Sequence, residues 1–199
     1  MGGQVLLYVP NIIGYLRLLL IFISWIYYDL NSWYFILFYT TSVILDAFDG
    51  YAARKLNQTS AFGAWLDVVV DNIGRGMLWS SLYKFGYAVA ALEWLTFVCC
   101  HSIESHWKEK IIRQDPPWFV TAVMKNNFRT PTGYLAMGGI HVLPIWLYGY
   151  HFGVLSALTF PGIIQTSVLL ILSFGRLLGF TVEIWCIYNH IENLLQVGQ

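Results

Sequence analysis

The stretch that decides the fold runs from residue 45 to residue 71 and reads LDAFDGYAARKLNQTSAFGAWLDVVVD. It puts two pairs of aspartates, Asp46 with Asp49 and Asp67 with Asp71, inside long apolar runs. Residues three or four positions apart share one face of an α-helix, so each pair is predicted to point in one direction. The short polar link between the two runs predicts antiparallel neighbouring helices, which would bring the four carboxylates together.

The composition of the whole chain is that of a membrane protein. Of its 199 residues, 57% are hydrophobic and only 11% are charged, and the mean hydropathy is +0.58. Soluble domains usually carry about 25% charged residues, so the surplus apolar surface is expected to face lipid. The formal net charge of zero leaves no basic stripe to neutralise phosphates, which argues against nucleic acid as a partner. We therefore predict an all-α integral membrane protein.

Six apolar stretches approach the length of about 20 residues that a helix needs to cross a bilayer. They lie at about residues 12–28, 33–54, 62–83, 87–106, 132–150 and 164–188. A single six-helix membrane domain over residues 1–199 is predicted, with no second domain. Basic residues collect in the links after the second and fourth stretches, so the positive-inside rule predicts cytoplasmic termini. The segment 107–130 is expected to be an interfacial arm or a solvated loop.

The aspartates are the residues that suggest chemistry. Each carboxylate in a membrane helix costs about 2.5–3.5 kcal/mol, so four of them require a compensating cation or an aqueous cavity. Oxygen ligands suit hard ions such as Mg²⁺, Mn²⁺ or Ca²⁺, and two such ions about 3.5–4 Å apart form a clamp for phosphoryl transfer. The alternative is a set of helix-end aspartates in water or paired with Arg54 and Arg75. Two pairs on adjoining helices favour the metal site.

Small residues share helix faces with the aspartates. In membrane helices, small residues usually allow two backbones to pack closely. Beside a carboxylate cluster they would also clear space for a flat ligand such as a nucleobase, and the guanidinium fork of Arg54 next to them would suit a phosphate. The small residues concerned are Gly50, Ala53 and Gly63.

Other polar residues lie within the apolar stretches. Arg17 is expected either to line the ligand site or to extend its guanidinium to the lipid headgroups. Arg176 is predicted to pair with Glu183, seven positions along the same helix, rather than to act in catalysis. A third group, near the end of the fourth stretch, either reaches the cavity or is solvated at the helix end. This group consists of His101, Glu104 and His106.

All eight fixed positions of the pattern D-x2-D-G-x2-A-R-x8-G-x3-D-x3-D are present without a spacing error. On this pattern the chain resembles the CDP-alcohol phosphotransferase (phosphatidyltransferase class-I) family, over most of its length. Within that family it is most similar to the eukaryotic phosphatidylinositol synthases, on stretches such as LDAFDG at 45–50 and LNQ at 56–58. The resemblance implies the six-helix fold, a homodimer, and an endoplasmic reticulum or other endomembrane location with the site facing the cytoplasm.

The resemblance also implies the chemistry and the roles of the residues. It implies transfer of a phosphatidyl group from CDP-diacylglycerol to an alcohol, with myo-inositol as the first candidate, phosphatidylinositol as the product and CMP released. Two divalent ions, Mg²⁺ or Mn²⁺, would be held by Asp46, Asp49, Asp67 and Asp71. Asp71 would also be the base that activates the incoming hydroxyl. The donor would be held by Asn11, Gly50, Ala53, Arg54 and Gly63.

One departure from the family pattern leaves the acceptor open. The synthases usually carry Arg directly after the fourth aspartate, whereas this chain has Asn72. Arg75, on the same predicted helix, could substitute for that Arg. The alternatives to myo-inositol are glycerol, glycerol phosphate or a lipid hydroxyl. A non-catalytic membrane scaffold that retains the fold is the alternative from another class, and its expected mark would be a missing aspartate.

Overall fold

The computed structural model describes residues 2–101 and 116–197. These residues form a short 3₁₀ helix, Gly2–Leu7, and nine α-helices, with no strand among them. In chain order the α-helices are α1 (Val9–Ile26), α2 (Ser32–Lys55), α3 (Ala61–Leu82), α4 (Gly86–His101), α5 (Trp118–Phe128), α6 (Pro131–His141), α7 (Leu143–His151), α8 (Val154–Ala157) and α9 (Gly162–Val197). The described part of the chain is therefore all-α, as predicted.

Local capping signals fix where the helices of the site begin. A proline occupies the first turn of α1, where its missing N–H costs nothing. The side chain of Asn31 accepts from the backbone N–H groups of Trp33 and Tyr34 at the start of α2. Ser60 accepts from the N–H of Gly63 at the start of α3. These caps keep the links short and set the aspartates near the end of α2 and the beginning of α3.

The order in which the helices pack differs from the prediction. The helices α2 and α3 hardly touch each other, and α1 packs extensively against both. Ser42 of α2 donates a hydrogen bond of 3.0 Å to the backbone carbonyl of Arg17 in α1. On the other side, Ile21 of α1 shares a buried apolar cluster with Leu66 and Val70 of α3. The two aspartate-bearing helices are therefore neighbours over only a few residues, and each packs more extensively against α1 than against the other, which the sequence did not predict.

A second group of helices closes the bundle around α9. The helix α9 packs along α6 and also touches α4, α5 and α7. Two glycines lie where the backbones of α6 and α9 meet. A Cβ atom on Gly139 would lie 2.1 Å from the backbone nitrogen of Arg176, and one on Gly175 would lie 2.1 Å from the carbonyl oxygen of Leu135. Only glycine permits this close approach of two helices.

Only some of the predicted membrane spans correspond to described helices that are long and apolar enough to cross a bilayer. Two of the described helices, Val9–Ile26 and Gly162–Gln196, are long and apolar enough to cross a membrane, which supports membrane association. The helices α2 and α3, which carry the four aspartates, do not meet that test, so the count of six spans is not confirmed. The fifth predicted stretch is divided into α6 and α7 at Val142, close to Pro144. Proline removes a helical hydrogen bond and interrupts the ladder there.

The segment between α4 and α6 is only partly described. Residues 102–115 and the side chain of His101 lie outside the described residues, and with them the prediction that His101, Glu104 and His106 reach the cavity. In α5, Val120, Val123 and Met124 are at most 1% exposed and belong to a core cluster with helices α6 and α9. This half of the segment is therefore not a solvated loop, because one helical face is buried, but Trp118 is 82% exposed and the interfacial arm stays a prediction.

Candidate active site

The four aspartates meet around the guanidinium of Arg17, which α1 carries to them. Nη1 of Arg17 lies 2.6 Å from Asp49 Oδ2 and 2.7 Å from Asp67 Oδ1. Nη2 lies 2.7 Å from Asp46 Oδ1 and 2.6 Å from Asp71 Oδ1. Arg17 itself is only 1% exposed. The carboxylates thus converge as the spacing predicts, and a residue of α1 lies among them.

The four carboxylates differ in their access to water. The side chains of Asp46 and Asp67 are 40% and 47% exposed. Those of Asp49 and Asp71 are 10% and 21% exposed. Asp46 and Asp67 are thus the more exposed members of the cluster, and Asp49 and Asp71 are the more enclosed.

Three of the aspartates have the arrangement of a metal site. Asp46, Asp49 and Asp67 each offer a carboxylate oxygen, and these oxygens lie within 4.8 Å of one another. The single positive charge of Arg17 cannot neutralise four carboxylates, so the cluster retains an excess of negative charge. An all-oxygen, negatively charged and partly open group of this kind fits a hard divalent cation. The fourth predicted ligand, Asp71, is not part of this compact group.

Asp71 instead has a second set of contacts. Its Oδ2 accepts a hydrogen bond of 2.9 Å from Nη1 of Arg75, so the predicted alternative of pairing with Arg75 is met at this one aspartate. Nδ1 of His141 lies 3.8 Å from the same oxygen. Nε of Arg75 donates a hydrogen bond of 2.8 Å to Glu93 on α4. No sequence pattern points to His141, because this residue lies 66 positions from Arg75 along the chain.

A cavity of about 160 Å³ opens beside the metal-type group. We call it the donor pocket. Small residues of α2 and α3 form much of its wall, together with the beginning of α1 and the link before α3. Its lining residues are Pro10, Asn11, Gly14, Asp49, Gly50, Ala53, Gln58, Thr59, Ser60, Gly63, Ala64, Leu66 and Asp67. Four of the five residues predicted to hold the donor are therefore gathered in one cavity next to two aspartates.

Gly63 is the tightest point of the donor pocket. A Cβ atom there would lie 2.8 Å from Oδ1 of Asn11 and 3.1 Å from Oγ of Ser60. Asn11 is 1% exposed, and its Nδ2 donates a hydrogen bond of 2.5 Å to the carbonyl of Val5, so its side chain is held in place. The fifth predicted donor residue, Arg54, is exposed outside the lining, with Nη1 3.4 Å from the Cβ position of Gly50.

A larger cavity, of about 490 Å³, lies along the other face of α3. Its walls include Asn72, Gly76 and Ser80, with Trp25 of α1 and Trp94 of α4, and none of the four aspartates. Asn72 is 3% exposed, and its Nδ2 has no hydrogen-bond partner among the described residues. Of these two cavities, only the donor pocket is bordered by carboxylates, those of Asp49 and Asp67.

Comparison with known proteins gives partial matches to one kind of enzyme. A CDP-diacylglycerol–inositol 3-phosphatidyltransferase of Candida albicans is 47% identical over 75 residues, which are 38% of this chain and 33% of that protein. One of Rattus norvegicus is 46% identical over 104 residues, 52% of this chain and 48% of that protein. A probable CDP-diacylglycerol–inositol 3-phosphatidyltransferase 2 of Arabidopsis thaliana is 41% identical over 107 residues, 52% of this chain and 45% of that protein.

These matches span less than half of the length of each of these relatives. No solved structure matches the chain. The family comparison is more extensive, since the CDP-alcohol phosphatidyltransferase profile matches residues 7–159. This range includes Arg17, all four aspartates and every residue that lines the donor pocket. The chain belongs to the CDP-alcohol phosphatidyltransferase family.

Proposed function

We propose that this chain transfers a phosphatidyl group from CDP-diacylglycerol to an alcohol, with myo-inositol as the first acceptor and CMP as the leaving group. The observation that carries the proposal is the convergence of four aspartates beside a pocket walled by small residues. The names of the relatives point to inositol as their acceptor. Phosphatidylinositol is therefore the expected product.

The donor pocket suits the nucleotide end of the donor. Gly50, Ala53 and Gly63 present no side chain beyond Cβ, which leaves room for a flat base. The exposed guanidinium of Arg54 is available to a phosphate at the rim of the pocket. Divalent cations, Mg²⁺ or Mn²⁺, held by Asp46, Asp49 and Asp67, would neutralise the diphosphate and stabilise the leaving phosphate. The diphosphate of a bound donor would then lie beside these three carboxylates.

Asp71 is the group that takes the proton of the acceptor. The acceptor oxygen forms a bond to the β-phosphorus, the bond from that phosphorus to the CMP oxygen breaks, and the hydroxyl proton passes to the Asp71 carboxylate. Asp71 does not line the donor pocket, and its side chain is less exposed than those of Asp46 and Asp67. An acceptor that approaches Asp71 therefore lies on the far side of the metal-type group from the nucleotide.

Asn72 is the residue that supports a second candidate class of acceptor. It stands where the synthases usually carry Arg, and its Oδ1 accepts a hydrogen bond of 2.8 Å from Nη2 of Arg75. An acceptor other than myo-inositol, such as glycerol, glycerol phosphate or a lipid hydroxyl, is the alternative. A reaction with all four alcohols present together, with products identified by mass spectrometry, distinguishes them. Phosphatidylinositol as a minor product would overturn the assignment of inositol.

The same proposal includes how the protein sits in the cell. It is a six-span domain with cytoplasmic termini, it forms a homodimer, and it lies in the endoplasmic reticulum or another endomembrane with the donor pocket facing the cytoplasm. The two apolar helices Val9–Ile26 and Gly162–Gln196 support the membrane location. Cysteine-accessibility labelling at Lys55 and Lys84, each replaced by cysteine, tests the orientation. Labelling of both positions from the same side would contradict it.

The decisive experiment uses the purified full chain in detergent micelles. It is supplied with CDP-diacylglycerol, Mn²⁺ or Mg²⁺, and myo-inositol, and CMP release is measured. We expect CMP only when metal, donor and acceptor are all present. If no alcohol supports CMP release, the enzymatic proposal fails and the non-catalytic scaffold takes its place.

A further inference from the structure

The guanidinium of Arg75 is almost fully used by the protein itself. It offers five N–H donors. Nε donates to Glu93, Nη2 to Asn72, and Nη1 to Asp71, at 2.8, 2.8 and 2.9 Å. Nη1 also lies 3.2 Å from Nδ1 of His141, which must accept because arginine has no acceptor. Four of the five donors are therefore engaged, and Arg75 has no free fork to offer an acceptor molecule.

Glu93 anchors the side of Arg75 that faces away from Asp71. It is 6% exposed on α4, and its Oε1 receives Nη2 of Arg176 at 3.4 Å. Nη1 of Arg176 in turn lies 3.0 Å from Oε2 of Glu183, which confirms the predicted pair within α9. These residues form a series of alternating negative and positive charges, which we call the ion chain. In order, its members are Asp71, Arg75, Glu93, Arg176 and Glu183.

We propose that Glu93 is a positioning residue for the reaction, and that it acts through Arg75 to hold the Asp71 carboxylate. This inference rests on the proposed function, in which Asp71 is the base. A buried charge whose partner is removed is strongly destabilised and seeks another partner. Without the Glu93 charge, the Arg75 guanidinium keeps only Asn72, His141 and Asp71 as partners, and the orientation of Asp71 Oδ2 is less firmly fixed. The base then spends less time in line with the acceptor hydroxyl, whereas the donor pocket is unchanged.

The test compares Glu93→Gln with variants along the ion chain. Glu93→Gln keeps the size of the side chain and removes its charge. We expect kcat to fall about tenfold to hundredfold, as for a misplaced catalytic group. The KM for CDP-diacylglycerol should stay within about twofold, since donor binding is not touched. Arg75→Lys, which loses the fork, should cost more, and Glu183→Gln, at the far end, should cost less. Glu192→Gln, on an exposed residue of α9, is the matched control.

Two results would overturn the proposal. One is a Glu93→Gln protein with unchanged kcat. The other is a parallel loss of kcat, donor affinity, Mn²⁺ affinity and melting temperature, which is what a merely structural role produces. Recovery of part of the activity in Glu93→Asp, which restores the charge on a shorter side chain, would support positioning.

A measurement of stability tests the role of Glu93 independently of the proposed enzymatic activity. The melting temperatures of Glu93→Gln, Asp71→Asn and the double variant form a cycle that needs no activity. Coupling between the two sites is expected, because Arg75 joins them. If the parent protein releases no CMP, the proposed function fails whatever the cycle gives. If the effects on melting temperature add without coupling, the relay through Arg75 fails even when the parent is active.

Discussion

The two ends of the aspartate cluster are built in opposite ways. At the donor end, Asp46 and Asp67 are 40% and 47% exposed, and Arg17 is the only cation within salt-bridge distance of them among the described residues. At the inner end, Asp71 contacts both Arg17 and Arg75, and Arg75 is anchored in turn by Glu93. Two of the three donor-end aspartates are thus open, although Asp49 is only 10% exposed, and all three share one cation, whereas Asp71 at the inner end is held by two.

This difference suggests a division of labour between chemically identical side chains. Carboxylates that lack positive charge and face water can take up a divalent cation from solution. A carboxylate held from two sides by guanidinium groups is fixed in direction, which suits a group that must receive one proton from one place. In the proposed function, the environment rather than the residue type would thus separate the metal ligands from the base.

Removal of a metal ligand at the donor end should have the largest effect. The change Asp49→Asn replaces one of the three carboxylates of the metal-type group with a neutral amide. We expect Mn²⁺ binding, measured by electron paramagnetic resonance, to be lost, and turnover to fall ~10⁴-fold or more, since a metal ion supplies several kcal/mol of transition-state stabilisation. Glu192→Gln serves as the control for charge removal elsewhere. Retained Mn²⁺ binding in Asp49→Asn would contradict the metal assignment.

The corresponding change at the inner end should separate the two functions. Asp71→Asn removes the proton acceptor but leaves the group formed by Asp46, Asp49 and Asp67 intact. We expect turnover to fall about 10²–10³-fold, the range for loss of a general base. Mn²⁺ binding should persist, in contrast to Asp49→Asn. If Asp71→Asn abolishes Mn²⁺ binding as well, the cluster is a single metal site and the division into two ends is wrong.

The sequence predicts those contacts of the site whose two residues lie close together along the chain. The pairs Asp46 with Asp49 and Asp67 with Asp71 follow from helical spacing, and so does the ion pair of Arg176 with Glu183, because each is contained in one helix. Pro144 is a further local signal, since proline interrupts helices, and it accounts for the division of the fifth stretch into α6 and α7.

The contacts that define the two ends depend instead on how helices pack. Arg17 meets Asp71 across 54 positions, and His141 approaches Arg75 across 66. The extensive packing of α1 against both α2 and α3 was not predicted, because a short link restricts only the two helices that it joins. Local spacing carries no information on which third helix enters, so the sequence left Arg17 between the ligand site and the lipid headgroups and did not identify His141.

Arg17 offers a way to test whether the donor end lacks positive charge. Arg17→Gln removes the guanidinium that lies 2.6–2.7 Å from all four carboxylates. We expect the metal-free protein to melt at a lower temperature and Mn²⁺ affinity to rise about tenfold, since a competing charge has been removed. Saturating Mn²⁺ should restore much of the lost stability by mass action. Arg17→Lys, which keeps the charge, is the control. Weaker Mn²⁺ binding in Arg17→Gln would mean that Arg17 organises the ligands rather than competing for them.

The smallest expected effect concerns the shape of the donor pocket. In Gly63→Ala, the new methyl group would lie 2.8 Å from Oδ1 of Asn11, which is buried and tied to Val5, so the pocket wall must shift. Gly138→Ala in α6 is the matched control, because its methyl group would lie 3.6 Å from Leu172, an ordinary contact. Both changes favour a helix by about 1 kcal/mol, so melting temperature should not fall in the control. We expect the KM for CDP-diacylglycerol to rise about threefold to tenfold in Gly63→Ala alone, with Mn²⁺ affinity unchanged. An equal KM in both variants would remove Gly63 from the donor site and leave the open end of the cluster as a metal site without an adjoining nucleotide pocket.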